Sequence, residues 1–203
     1  MQHIVIILAH PETTSFNHAI AETVAAALEK KGYPVILHDL YREGFDPMLR
    51  ADEIPRDGDI PPAIEEHCRE VESCLGLIFV HPNWWDQPPA ILKGWIDRAI
   101  RPGSAYEFLE GDGGEGIPRG LLEGKTALVF NTSNTPEERE KNFFGDPLDM
   151  IWKKCIFEFC GITKYHRKMF SVVVTSTEKQ RESWLKEAES ITLRYFPGYA
   201  ERI

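Results

Sequence analysis

The chain has no apolar run near the ~20 residues a bilayer span requires, so a membrane-inserted protein is not expected. Basic charge is also short. Lys and Arg number 23 against 32 Asp and Glu, a formal net charge of −9. That balance argues against nucleic acid and against an anionic membrane surface as partners. Cysteine is scarce, and Cys68, Cys74, Cys155 and Cys160 show no CxxC spacing. They lie in helix-like or buried-looking segments and read as reduced core thiols, not as a disulfide or zinc framework. His10, His81 and His166 have no ligand-like spacing, His18 and His38 read as caps or surface residues, and His67 and Cys68 should face different sides of a helix. No metal site is expected. The chain also lacks a GxGxxG turn and a GxxxxGK[ST] loop, which removes support for ordinary dinucleotide and nucleoside triphosphate binding. It has no internal repeat, low-complexity tract or linker. Met1-Gln2-His3 runs straight into a strand-like segment, so no signal peptide and a cytoplasmic location are expected.

What remains is a 203-residue chain with 42% hydrophobic residues, enough for one domain with a real core. Short β-branched runs without alternation read as strands buried on both faces. They fall at 3–9, 35–38, 76–80, 125–130 and 169–174. Helical patterns follow each: from Asn17 to a stop at Gly32, from Pro61 or Pro62 with Ile64, Cys68, Val71 and Leu75 on one stripe, over 89–100, from Pro147 to Phe159, and over 178–195 behind Thr177 and Gln180. Strict alternation predicts an α/β fold, a parallel five-stranded sheet with helices on both faces. Right-handed crossovers give the order 2-1-3-4-5. Residues 39–59 read as an irregular surface excursion. Residues 101–124, with seven glycines, read as a long loop.

In that order ligands lie outside the carboxyl ends of the strands, where the chain reverses direction. Loops 10–17, 81–88 and 131–146 should therefore converge. The first, His10-Pro-Glu-Thr-Thr-Ser15-Phe16-Asn17, puts hydroxyls at a helix start, a natural place for a phosphate ester, with simple capping by Ser15 as the compatible alternative. The second carries Trp84 and Trp85 among prolines, a rigid aromatic wall suited to a flat ring or to covering a core edge. Phe143 and Phe144 are candidates for an apolar substrate cleft or for core packing. Asp97 with Arg98, and the run Glu137-Glu138-Arg139-Glu140-Lys141, read as solvated faces.

Three segments together resemble a known family. Ala9-His10…Ser15-Phe16-Asn17, then Pro82…Trp85…Pro89-Ala-Ile-Leu-Lys-Gly94-Trp95, then Phe159-Cys160-Gly161 are similar to the flavodoxin-like NAD(P)H:quinone oxidoreductases. That family spans mammalian-type quinone reductases, bacterial modulators of drug activity and the ancillary flavoproteins of potassium-efflux systems. The resemblance implies a flavodoxin-like three-layer sandwich and a flavin, FMN or FAD, with NAD(P)H as co-substrate and a quinone-like acceptor. It implies that His10, Thr14, Ser15, Phe16 and Asn17 hold the flavin phosphate or pyrophosphate. Pro82, Asn83, Trp84, Trp85 and Asp86 would lie along the ring system, and Asn131, Thr132, Ser133 and Asn134 would form the third contacting loop. A homodimer is implied as well. The family's Thr-Thr-Gly-Gly turn is replaced here by Asn131-Thr132-Ser133-Asn134, and its downstream Tyr and His have no counterpart within 131–146. No catalytic acid or base is therefore carried over. The same departure keeps open a regulatory flavoprotein reporting redox state to a partner such as a transporter. A one-electron carrier like true flavodoxin is a weaker third reading.

Overall fold

The computed structural model describes residues 2–55, 58–109, 111 and 115–199. Gly113 and Gly114 of the glycine-rich stretch lie outside the described residues. The order is β1 (Ile4–Leu8), α1 (Phe16–Lys30), β2 (Val35–Asp39), α2 (Pro62–Ser73), β3 (Gly76–Pro82) and α3 (Ala90–Ala99). It continues through β4 (Tyr106–Glu107), β5 (Arg119–Gly120), β6 (Thr126–Ser133), α4 (Glu137–Asn142), α5 (Pro147–Met150), β7 (Lys164–Ser171) and α6 (Glu178–Tyr195). Five parallel strands form one sheet in the order β2-β1-β3-β6-β7, the arrangement expected from alternation and handedness.

The sheet is buried on both faces because its side chains alternate between two clusters. Val5, Ile7, Leu77, Phe79, Ala127 and Val129 meet α2, α3 and the segment after α5, through Val71, Leu92, Trp95 and Trp152. Ile4, Ile6, Ile78, Val80, Leu128 and Phe130 meet α1 and α6, through Ile20, Val24, Leu28 and Ile191. Each large apolar side chain withdrawn from water in this way contributes roughly 1.5–3 kcal/mol. Ser15 caps α1 by accepting from the His18 N–H, and Gly32, with φ +83, supplies the left-handed residue behind that helix.

Several expectations need correction. The last strand is Lys164–Ser171, not 169–174: Val173 begins a 3₁₀ turn, and Val174 is exposed. Three valines attract a strand assignment, but the polar run before them pairs with β6 residue by residue. The neighbouring strand does not stop at Phe130. Asn131, Thr132 and Ser133 continue β6, held between His81 and Pro82 of β3 on one side and Met169, Phe170 and Ser171 of β7 on the other. The helix from Pro147 changes to π-type winding over Ile151–Glu158. The 101–124 loop contains a short antiparallel ladder, β4 with β5. Cys155 is exposed, whereas Cys68, Cys74 and Cys160 are buried.

The 39–59 excursion is pinned rather than loose. Arg98 on α3 is buried, not solvated: its Nε and Nη2 donate to the Glu53 carboxylate at 3.0 and 2.8 Å, and Nη1 donates to the Asp46 carbonyl at 2.6 Å. One turn earlier, Gly94 lets Pro47 lie directly on the helix, and a Cβ there would run into the Pro47 carbonyl and ring. Exposed helical glycine normally gains up to about 1 kcal/mol on replacement by alanine. Here the clash reverses the sign. Gly94→Ala is expected to lose about 1–3 kcal/mol, read as a lower urea midpoint at unchanged m-value.

Candidate functional site

The carboxyl ends of β1, β3 and β6 open into one cleft of about 640 Å³. Of the residues singled out from sequence, His10, Ser15, Phe16, Asn17, Pro82, Asn83, Trp84, Trp85, Asp86, Thr132, Ser133 and Asn134 line it. Two do not. Thr14 lines a neighbouring hollow, because its hydroxyl and N–H both donate to Glu12 Oε1, at 3.1 and 3.2 Å. Asn131 is fully buried behind the wall, where its Oδ1 accepts from Arg167 Nε at 2.9 Å. Arg167 in turn holds Asp146 through both carboxylate oxygens, 2.8 Å each.

At the start of α1 the backbone N–H groups of Phe16 and Asn17 have no intrahelical acceptor. Ser15 stands beside them, and its Oγ lies 2.9 Å from His18 Nδ1 while His18 Nε2 lies 3.0 Å from Asp39 Oδ2. His18 is thus a buried link between a carboxylate and the capping hydroxyl, not a surface residue. Asn17 is almost wholly buried and spends its side chain on Thr132: its Nδ2 donates to Thr132 Oγ1 at 3.0 Å. It ties the helix start to the end of β6. The first loop leaves His10 flanking Trp84, ring centroids 6.3 Å apart. Burial lowers the pKa of His10, so its ring is mostly neutral at pH 7.

The tryptophan loop is a tight two-residue turn. Trp84 and Gln87 exchange backbone hydrogen bonds of 3.1 Å in each direction, and Trp85 and Asp86 between them have φ of 57° and 56°. Turns of this hand favour Asn-Gly. A tryptophan at positive φ costs on the order of 1–3 kcal/mol, a kind of strain that concentrates at functional sites. What it achieves is visible: Trp85 is 96% exposed at the cleft mouth, and Trp84 is 41% exposed.

Behind the turn, Asn83 Nδ2 donates to Glu140 Oε1 at 3.0 Å and to Asp86 Oδ1 at 3.3 Å, while its own Oδ1 is buried without a protein partner. Ser133 Oγ also donates to Glu140 Oε1, at 3.0 Å. Glu140 is therefore no part of a solvated face. Burial and the adjoining Asp86 carboxyl push its pKa up to about 7. Sequence reasoning missed it because four charged neighbours in a helical run look like surface. Glu12, Thr135, Val173 and Val174 also line the cleft unannounced, the valines because they were assigned to a strand. Phe144 is on the wall, whereas Phe143 lies outside, 80% exposed. His81, under the wall, is fully satisfied: its Nδ1 lies 2.9 Å from the Pro82 carbonyl, and Trp152 Nε1 donates to its Nε2 at 3.2 Å. Burial lowers its pKa to about 4.

The chain is similar to known proteins. An NAD(P)H oxidoreductase of Haemophilus influenzae is 31% identical over 196 residues, covering 95% of this chain and 94% of that protein. NAD(P)H dehydrogenase [quinone] 1 of Rattus norvegicus is 29% identical over 92% of this chain and 76% of its own length. The solved NAD(P)H:quinone oxidoreductase of Methanothermobacter marburgensis superposes with a TM-score of 0.78 at 25% identity, covering 94% of this chain and 95% of that one. The Flavodoxin-like fold family matches residues 2–191, from the first strand into the last helix. That match spans nearly the whole five-stranded sheet and its helices, and the chain belongs to the flavodoxin-like fold family.

Proposed function

We propose that this protein is a flavin-dependent NAD(P)H oxidoreductase that passes two electrons, as hydride, from NAD(P)H through FMN or FAD to a quinone or similar acceptor. The observation that carries the reading is one cleft combining a helix start whose first N–H groups have no helical acceptor, two exposed indoles and the polar Asn83, Thr132 and Asn134 on its wall. Those are the three things a phosphorylated flat ring with N–H donors requires. A bound flavin supplies the hydride chemistry. The chain's residues supply the rest. The N–H groups of Phe16 and Asn17, with the Ser15 hydroxyl, hold the phosphate. Asp39 and His18 orient that hydroxyl. Trp84 with Trp85 would wall the ring, and Asn83 beside them would face its polar edge. Glu140 holds or releases a proton near neutrality on the same wall. The open side serves donor and acceptor in turn.

The relatives named above support the substrate class. A homodimer is part of the proposal, supported by the exposed Trp85, Ile117 and Phe143 side chains. So is a single-domain chain, supported by two core clusters sharing one sheet. A cytoplasmic location is supported by four free cysteines. Among the described residues no helix is long and apolar enough to cross a membrane.

The test is direct. The purified protein should be yellow, and mass analysis of released flavin should give FMN or FAD. Ser15→Ala should retain flavin about 10- to 100-fold less tightly, the worth of one hydrogen bond to a charged group. NADH or NADPH should be oxidised at a rate dependent on added quinone. A protein that stays colourless when offered both flavins overturns the reading.

A further inference from the structure

We propose that His38, His67 and Glu70 form a binding site for one divalent transition-metal ion of the zinc type, clasping β2 to α2 beside a cavity separate from the flavin cleft. The three side chains each offer a ligand atom, and these atoms all lie within 4.8 Å of one another. His38 comes from the strand, while His67 and Glu70 sit one turn apart on the helix, facing it together. His38 Nε2 is 2.7 Å from Glu70 Oε2, and His67 Nδ1 is 3.8 Å from the same oxygen. Around a tetrahedral ion with bonds of about 2.05 Å, ligand atoms stand roughly 3.3 Å apart. The 2.7 Å pair is shorter than that spacing and the 3.8 Å pair longer, so an ion would push the first apart and draw the second in.

Two further observations point to a ligand. His67 Nδ1 is buried with no hydrogen-bond partner, on a side chain only 9% exposed. Buried polar atoms are nearly always satisfied, so this one stands out. And Glu43 lies against the far nitrogen of His38, its two oxygens 3.1 and 3.2 Å from Nδ1. Carboxylates placed behind a ligating imidazole orient it and raise its basicity.

The ligand types choose the cation. Two imidazoles and one carboxylate suit zinc and its neighbours and disfavour magnesium or calcium, which take oxygen. The positive charge of Arg98 is largely taken up by Glu53 and Asp46. The remaining charged groups around the cavity are Glu43, Arg50 and Glu66. A cavity of about 540 Å³ lined by His38, Glu43 and His67 adjoins the cluster, room for water as a fourth ligand. None of its lining residues belongs to the flavin cleft. The expectation of no metal site arose because the spacing to inspect runs within α2 and across to β2, not between sequence-adjacent histidines.

The experiment titrates zinc into chelator-treated protein in competition with a chromophoric chelator, and repeats the titration with cobalt to read its visible band. One equivalent should bind, with a cobalt spectrum of tetrahedral intensity. His38→Gln and Glu70→Gln, on the partly exposed rim, should each weaken zinc at least 100-fold while flavin content and the metal-free melting temperature stay near those of the parent. Glu43→Gln should weaken it about 10- to 100-fold. The rim positions are used because His67 is buried against Trp95, where a substitution also disturbs packing. Absence of stoichiometric zinc binding overturns the proposal. So does an equivalent that survives both rim substitutions, whether held by the exposed Cys155 or elsewhere.

Discussion

Glu53→Ala is expected to cost about 3–5 kcal/mol of folding stability, more than any other single surface-segment substitution in this chain. Glu53 is 1% exposed and Arg98 4%. Two charges that deep gain little net stability from each other, because each gives up its hydration. Removing one partner is different: among the described residues the guanidinium stays buried with the Asp46 carbonyl, a mostly exposed Asp46 carboxylate and the face of the Phe45 ring for company. Against a total of roughly 5–15 kcal/mol, that is a large fraction. Urea unfolding of the parent and variant measures it. The paired replacement Glu53→Leu with Arg98→Met should recover most of the loss, since it leaves no orphaned charge. A loss under about 1 kcal/mol for Glu53→Ala would show that the pair is solvated and the excursion merely lies on α3.

Glu140→Gln is the second. The Glu140 carboxyl is held up to about 7 in the folded chain by burial and by Asp86, against an ordinary value near 4.5. The folded state then binds more protons than the unfolded state between those values, so stability falls as pH rises through the window and levels off above it. The contribution is full below about pH 4.5 and gone above about 7. At roughly 1.4 kcal/mol per unit, the decline is on the order of 3 kcal/mol. Glutamine imitates the protonated acid: its oxygen can accept from Ser133 and Asn83, and its amide can donate to Asp86. The variant should therefore match the parent at pH 5 and exceed it at pH 8. Chemical unfolding across pH 5–8 reads the difference, which cancels groups titrating in both proteins. Parallel curves would mean that Glu140 is ionised throughout and that the Asp86 contact is not a shared proton.

These two residues show where sequence reading ends. β1 and β3 were legible because Ile4 to Leu8 and Leu77 to Val80 are apolar on both faces, and only a covered strand tolerates that. From them came the sheet order and the convergence of three loops. Arg98 and Glu140 were not legible. Each sits in a helical run among other charges, and the partners that bury it, Glu53 and Asn83, are distant along the chain. The end of β6 was hidden for a related reason. Asn131, Thr132 and Ser133 are polar because their side chains serve Arg167, Asn17 and Glu140, so a strand looks like a loop.

The misplacement of β7 has a consequence of its own. β7 and β2 are the two outer strands of the sheet, with backbone groups on one side left for any passing chain to template upon. β7 carries Lys164 and Lys168 along its length, with Lys168 drawn back toward Glu187 of α6. A foreign strand docking there would have to dehydrate those ammonium groups. The composition that conceals this strand from pattern reading also guards the molecule against growing edge-on into a fibre.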